Sequence, residues 1–357
     1  GWQKPAHFDY NLLVIGGGSA GLVSAYIAAA VKAKVALIEK HKMGGDCLNT
    51  GCVPSKALIR SARAADTLRH ANRYGLESVP VKGSFKNIMN RVREVIAKVE
   101  PHDSPERYRK LGVDCITGEA SFVSPWELEV RHNDGRTERL TACSIVVATG
   151  GKPAVPSIPG LEDMEPLTSD NLWQLEEQPD RLLVLGGGPI GSELAHAFAR
   201  LGSQVTQVEM GERLLAKEDA DVSELVLKQF RADGVDVRLK HSAAEFRIEE
   251  GEKVAYCKHE GERVRIPFDQ VLVAVGRAAN TAGLNLERIG VETLPNGTVP
   301  VEEDMSLRYP NVFACGDVAG PYQFTHAAAH QAWYAAVNGL FGQFRRFKVD
   351  YRVMPWV

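Results

Sequence analysis

No stretch of this chain stays apolar long enough to cross a bilayer. The most apolar long run, Ala20 to Val31, follows a glycine turn and falls well short of the roughly 20 residues that a spanning helix needs. Basic runs are missing as well. With 42 Lys and Arg against 45 Asp and Glu, the formal net charge is −3, so the chain lacks the electrostatic footprint of a nucleic-acid binder. Six cysteines in 357 residues are too few for a secreted disulfide scaffold, and a working thiol pair suits a reducing cytosol, so a cytoplasmic location is expected. The chain opens Gly-Trp-Gln-Lys-Pro, with no Met and no signal-peptide pattern, and reads as an excised piece or tagged product of a longer protein. Its length suffices for two domains, each with its own core.

The cysteines that are present include a close pair. Cys47 and Cys52 stand five positions apart in Gly44-Gly45-Asp46-Cys47-Leu48-Asn49-Thr50-Gly51-Cys52-Val53-Pro54-Ser55-Lys56. At that spacing two sulfurs can meet across slightly more than one distorted helical turn. Such a pair suits a catalytic disulfide, one thiol attacking substrate and the other resolving it by exchange. Two small buried cysteines, or half a metal site, are the alternatives. A metal site wants further Cys or His at ligand spacing, and none lies close by.

Two glycine fingerprints flank this stretch in sequence. Leu12 to Ile15 reads as a strand that breaks into Gly16-Gly17-Gly18-Ser19-Ala20-Gly21 and then an Ala-rich helix, Leu22 to Val31. Gly16 permits the tight turn, Gly18 lets backbone approach a pyrophosphate, and Gly21 lets helix and strand pack. The helix N-terminus attracts phosphate. A second strand, Lys34 to Ile38, ends at Glu39, whose carboxylate can accept from ribose hydroxyls. The same plan returns later: strand Arg181 to Leu185, Gly186-Gly187-Gly188-Pro189-Ile190-Gly191, helix Ser192 to Leu201, and strand Gln204 to Val208 ending at Glu209. Both glycine-to-glutamate intervals, 16 to 39 and 186 to 209, are 23 positions. One βαβ plan used twice implies two nucleotide sites.

Between and after these units the period changes. Ala57 to about Lys110 is mostly helical with charged faces. Val113 to Val147 and Val235 to Val275 read as antiparallel meanders, the first turning at Ser124-Pro125 and at Asn133 to Gly135. Cys115, Cys143 and Cys257 fall in these segments and are expected to be inert structural thiols. Pro153, Pro156 and Pro159 stiffen a domain crossing. His326 and His330 share a helix face at i and i+4, but no acidic third ligand adjoins them, and no metal site is expected.

On these motifs the chain resembles the pyridine nucleotide-disulfide oxidoreductases, the family of dihydrolipoamide dehydrogenase, glutathione reductase and mercuric reductase. Its members carry Gly-Gly-x-Cys-x-Asn-x-Gly-Cys-x-Pro-Ser-Lys, and the likeness spans nearly the whole chain. The resemblance implies an α/β fold of two Rossmann-like dinucleotide-binding domains, for FAD and NAD(P), each with an antiparallel β-meander insertion. It places the FAD domain at 1–155 and 281–345 and the NAD(P) domain at 156–280, with 346–357 as the threshold of a further interface domain. In relatives that domain forms a homodimer and supplies a His-Glu acid-base pair to the partner's active site.

By the same resemblance, Cys52 is the flavin-proximal thiol, Cys47 the interchange thiol, and Lys56 stands near the flavin, paired with Glu193. FAD is implied at Gly16, Gly18, Gly21, Glu39, Gly45, Thr149 and Gly150 of the Ala-Thr-Gly strand end, at Asp317 of Val312-Phe313-Ala314-Cys315-Gly316-Asp317, and at Ala327 on the last helix. The pyridine nucleotide is implied at Gly186, Gly188, Gly191, Glu209 and Gly276. A carboxylate at Glu209 accepts from a 2′-hydroxyl and repels a 2′-phosphate, so NADH is expected over NADPH, with Arg213 nearby as the residue that could rescue a phosphate. The expected activity is electron transfer from NADH through FAD to the dithiol and on to a small-molecule disulfide or a metal ion. A mercuric-reductase-like acceptor is preferred on Val53-Pro54, and dihydrolipoamide dehydrogenase is the alternative. The rival from another class is a flavin-binding redox sensor that does not turn over.

Overall fold

The structure, a computed structural model, describes residues 2–355; of the expected C-terminal threshold, 356 and 357 lie outside the described residues. The chain begins with strand β1 (Tyr10–Ile15), helix α1 (Ser19–Ala30) and strand β2 (Val35–Glu39), then helices α2 (Gly45–Asn49), α3 (Cys52–Arg69), α4 (Phe85–Val99) and α5 (Pro105–Leu111). Strands β3 (Val113–Ser124), β4 (Glu127–His132), β5 (Thr137–Val147) and β6 (Gly151–Pro153) follow. The second copy of the plan is β7 (Arg181–Leu185), α6 (Pro189–Leu201) and β8 (Gln204–Glu209), then α7 (Ala220–Ala232) and β9 (Asp236–Leu239). Strands β10 (Ser242–Glu249), β11 (Glu252–His259), β12 (Glu262–Phe268), β13 (Gln270–Val273), β14 (Arg277–Ala279) and β15 (Val312–Ala314) lead to the last helix, α8 (Thr325–Phe341).

These elements gather into two compact units, Gly1–Asn49 with Lys98–Lys152 and Ala278–Val357, and Thr50–Ala97 with Pro153–Arg277. In the first, β1 lies between β2 and β5, all parallel, with β3 outside β2 and β15 outside β5. In the second, β7 lies between β8 and β13, all parallel, with β9 outside β8. The two sheets thus share the strand order third, second, first, fourth. Parallel strands need both faces covered, and their sequences are apolar accordingly: Leu12, Leu13, Val14, Leu182, Leu183 and Val184 are almost wholly buried. Fully buried rings such as Phe122, Phe313 and Phe198 each stabilise by about 1.5–3 kcal/mol over exposure.

Both expected meanders are present. The one in the first unit turns at Ser124 to Trp126 and at Asn133 to Arg136. It is no separate insertion, because β3 and β5 are 12 and 11 residues long. Val113 to Thr117 of β3 runs parallel with β2, and the end of β5 runs parallel with β1. In the second unit β10, β11 and β12 form their own antiparallel sheet, while β9 and β13 belong to the parallel one.

One division differs from expectation. Residues 50–97 were expected within the first domain, yet they cluster with the second unit. The reason is packing: Ala57, Leu58 and Ala62 of α3 and Met89 and Val92 of α4 share one core with Leu194, Ala195 and Phe198 of α6.

Candidate functional site

The two glycine turns are built alike, bond for bond. In the first unit Glu39 at the end of β2 accepts from the Gly17 N–H at 2.7 Å with one oxygen and from the His41 N–H at 2.8 Å with the other. In the second unit Glu209 at the end of β8 does the same with Gly187 and Gly211, both at 2.6 Å. The Gly17 carbonyl accepts from Gly44 N–H and the Gly187 carbonyl from Leu215 N–H, each at 2.8 Å. Each acid therefore holds its own glycine turn, a role that spacing alone did not reveal.

The glycines divide by what surrounds them. Gly16 and Gly186 have φ of +105° and +109°, and a Cβ at either would lie 2.2 Å from a carbonyl oxygen, of Ala148 and Ala274 respectively. Gly21 and Gly191 press on the carbonyls of Gly16 and Gly186, the close strand–helix approach expected of the third glycine. Gly18 and Gly188 meet no such obstacle: Gly188 has nothing within 4 Å of a Cβ position, and Gly18 only the Gly45 Cα at 3.6 Å. They are the N-caps of α1 and α6, neither helix is capped by a side chain, and neither has an acid in its first turn. An uncapped helix N-terminus with an open approach suits a phosphate group, so the residues present fit a dinucleotide in both units.

The redox stretch begins against the first of these turns. A Cβ on Gly45 would lie 2.5 Å from the Gly18 Cα, so only glycine lets the two backbones pass. Asn49 then closes α2 by donating to the carbonyls of Met43 at 3.1 Å and Gly45 at 2.9 Å. Cys47 sits half-buried in α2, and Cys52, exposed, is the first residue of α3. Ser55 donates its hydroxyl back to the Cys52 carbonyl at 3.3 Å. The Asn and Ser of the motif thus shape the short helix α2 and the first turn of α3, which carry the thiols.

Lys56 lies one turn beyond Cys52 and donates to both oxygens of Glu193, at 2.9 and 2.7 Å. Their side chains are 61% and 41% exposed, so the pair adds at most about 1 kcal/mol to stability. Glu193 lies past the first turn of α6, out of the position where an acid chiefly complements the helix dipole. Arg213 donates to the Ala216 carbonyl at 2.9 Å. Gly276, at φ +144°, accepts from Ala154 N–H at 2.9 Å.

In the first unit a loop cluster gathers at the strand ends. The Thr149 hydroxyl donates to the Asn280 carbonyl at 2.7 Å, and Asn280 returns two bonds, to the Thr149 carbonyl at 3.1 Å and the Gly150 carbonyl at 2.9 Å. Asp317 stands against the same loop, its carboxylate oxygen 3.5 Å from where a Cβ on Gly151 would be. Gln331, wholly buried in α8 four residues after Ala327, accepts from Gly316 N–H at 2.7 Å and donates to the Gly320 carbonyl at 2.7 Å. Asn280 and Gln331 were missed; for Gln331 the available signal was an amide inside an Ala-rich helix.

The other thiols differ from one another. Burial pushes Cys315 up to about 12 and Cys257 up to about 11, leaving both protonated at neutral pH. Burial also raises Cys115. Cys143 corrects the expectation of an inert core thiol: strand alternation turns it outward and it is exposed. His326 and His330 each bond a main-chain carbonyl, of Pro355 at 2.8 Å and Asp350 at 2.9 Å. Among the described residues no helix is long and apolar enough to cross a membrane.

Residues 10–332 match the family described as pyridine nucleotide-disulphide oxidoreductase. The chain is 35% identical to the dihydrolipoyl dehydrogenase of Bacillus subtilis (strain 168) over 329 residues, 91% of this chain and 70% of that one. It is 34% identical to a mercuric reductase of Staphylococcus aureus over 351 residues, 98% of this chain and 62% of that one. A mercuric reductase of Bacillus cereus matches at 33%, and there this chain spans 54% of the relative's length. Among solved structures, the Cu(II) complex of the HOCl-induced flavoprotein disulfide reductase RclA from Escherichia coli superposes with a TM-score of 0.82 at 28% identity. The match covers 97% of this chain and 73% of that one.

Proposed function

The chain belongs to the pyridine nucleotide-disulphide oxidoreductase family, and from that premise we propose that it takes electrons from NADH through FAD to a Cys47–Cys52 disulfide and on to a small-molecule acceptor. The observation that carries this reading is the duplicated cradle. Two strand–glycine–helix turns are each tied by a glutamate through the same pair of main-chain bonds, and the cysteine motif starts against one of them.

In this reading 1–155 with 281–345 is the flavin domain, with residues 50–97 counted in it although their apolar faces pack in the core of α6, and 156–280 is the nicotinamide domain. Gly16, Gly18, Gly21, Glu39, Gly45, Thr149, Gly150, Asp317 and Ala327 hold FAD, and Gly186, Gly188, Gly191, Glu209 and Gly276 hold NADH. Bound FAD supplies a carrier that accepts a hydride from NADH and delivers an electron pair to a disulfide. Glu209 would offer a carboxylate at the end of β8 to the bound nucleotide's ribose, favouring the hydroxyl of NADH over the phosphate of NADPH. Arg213 is engaged with the Ala216 carbonyl and offers less to a 2′-phosphate than a guanidinium with no such bond. Lys56, one helical turn from Cys52, favours the thiolate there by opposite charge, while Glu193 sets where its ammonium rests. Cys47 is the thiol that meets the acceptor.

The acceptor is a disulfide or a thiophilic metal ion, with Hg(II) preferred over lipoamide on Val53-Pro54 and on the mercuric reductases that match most of this chain. Dihydrolipoamide dehydrogenase is the second reading, favoured by a relative of that name at similar identity. NADH oxidation by the full-length protein in the presence of Hg(II), glutathione disulfide or lipoamide separates these. Faster turnover of Hg(II) is expected, and faster turnover of lipoamide would reverse the order.

A further inference from the structure

Trp173 lies in a short 3₁₀ turn, Leu172–Gln174, 121 positions beyond Cys52, and no motif points to it. The residue is buried, 7% exposed, in the core that α3 and α4 share with α6. An indole has one donor and no acceptor. Here that N–H forks between two main-chain carbonyls, of Ser169 at 2.7 Å and of Thr50 at 3.0 Å. The Trp173 carbonyl is held in turn by the Arg93 guanidinium of α4 at 3.1 Å.

Thr50 is one of only two residues between the last of α2 and Cys52. The other is Gly51. On one side of Gly51 the Thr50 carbonyl is fixed by the indole; on the other, the Gly51 carbonyl accepts from Ser55 N–H at 3.0 Å. We infer that Trp173 is a positioning residue for the thiol pair, its indole N–H fixing the Thr50–Gly51 link so that Cys52 is presented in one orientation. The inference rests on Cys47 and Cys52 forming the redox couple proposed above.

A link held in one shape loses less freedom when the sulfurs join than a loose one does, so the bond to Thr50 favours closure. The FAD-loaded, full-length protein tests this in glutathione buffers. The reduced protein reacts with one glutathione disulfide to give the protein disulfide and two glutathione molecules. One S–S bond breaks and one forms, and both thiol protons end on glutathione. Alkylation and peptide mass spectrometry read the fraction closed at Cys47 and Cys52.

Trp173→Phe keeps the ring and removes the donor. It is expected to lower the closure constant by about three-fold or more, the scale of one lost hydrogen bond. Leu172→Ala cuts into the same core but leaves the indole donor in place, and its constant should fall by clearly less than that of Trp173→Phe. Arg93→Gln loosens the hold on Trp173 and should shift the constant the same way by less; it carries the test if Trp173→Phe does not fold. An unchanged constant in the variants of Trp173 and Arg93, or an equal fall in Leu172→Ala, overturns the inference. A wild-type protein that never closes the disulfide would instead sink the proposed function.

Discussion

A carboxylate has about four acceptor positions, and Glu209 already uses two on the N–H groups of Gly187 and Gly211. What remains is enough for a ribose hydroxyl. In the proposed nucleotide site a change there acts twice, on the contact assigned to the ribose and on the shape of the turn. Glu209→Ala should narrow the preference for NADH over NADPH, and it should also weaken NADH binding by about ten-fold, the equivalent of one charge-assisted bond. Titration of both nucleotides by fluorescence checks this, and an unchanged ratio of affinities would defeat the reading of Glu209. Both glutamates were legible in the sequence because each ends a strand 23 positions after its first glycine. Their bonds to the turns were not, since a main-chain partner leaves no mark on composition. Trp173, Asn280 and Gln331 escaped for the same reason: the side chain of each bonds main-chain atoms outside its own element.

At the scale of the element, the strand–turn–helix unit asks different things of its glycines. A Cβ at Gly191 would lie 2.4 Å from the Gly186 oxygen, whereas one at Gly188 would meet nothing within 4 Å. Gly191→Ala should therefore cost about 1–3 kcal/mol in urea unfolding, as overpacking does. Gly188→Ala should leave stability within about 0.5 kcal/mol and weaken NADH binding, because its methyl group occupies the space a phosphate needs. Full NADH affinity in Gly188→Ala would contradict the assignment of that space. Turn chemistry made the first meander readable, with Ser124-Pro125 and Asn133 to Gly135 falling where β3, β4 and β5 turn. That β3 and β5 each serve two pairings was hidden, because a strand's partner depends on register with distant residues.

For the molecule as a whole, duplication was the most legible feature, and the two sheets repeat one strand order as well as one loop chemistry. The grouping of residues 50–97 was not legible. The apolar faces of α3 and α4 announce that they pack on something, but nothing local says that the partner is α6. The proposed electron path uses both nucleotide cradles and the thiol pair. Anaerobic titration of the FAD-loaded, full-length protein with NADH follows that path directly. Uptake of two electron pairs per flavin, with a long-wavelength thiolate-to-flavin absorption band, is the expected result, falling to one pair when Cys47 and Cys52 are both replaced by Ser. One pair in the wild type, unaltered by the double replacement, would take the dithiol out of the mechanism.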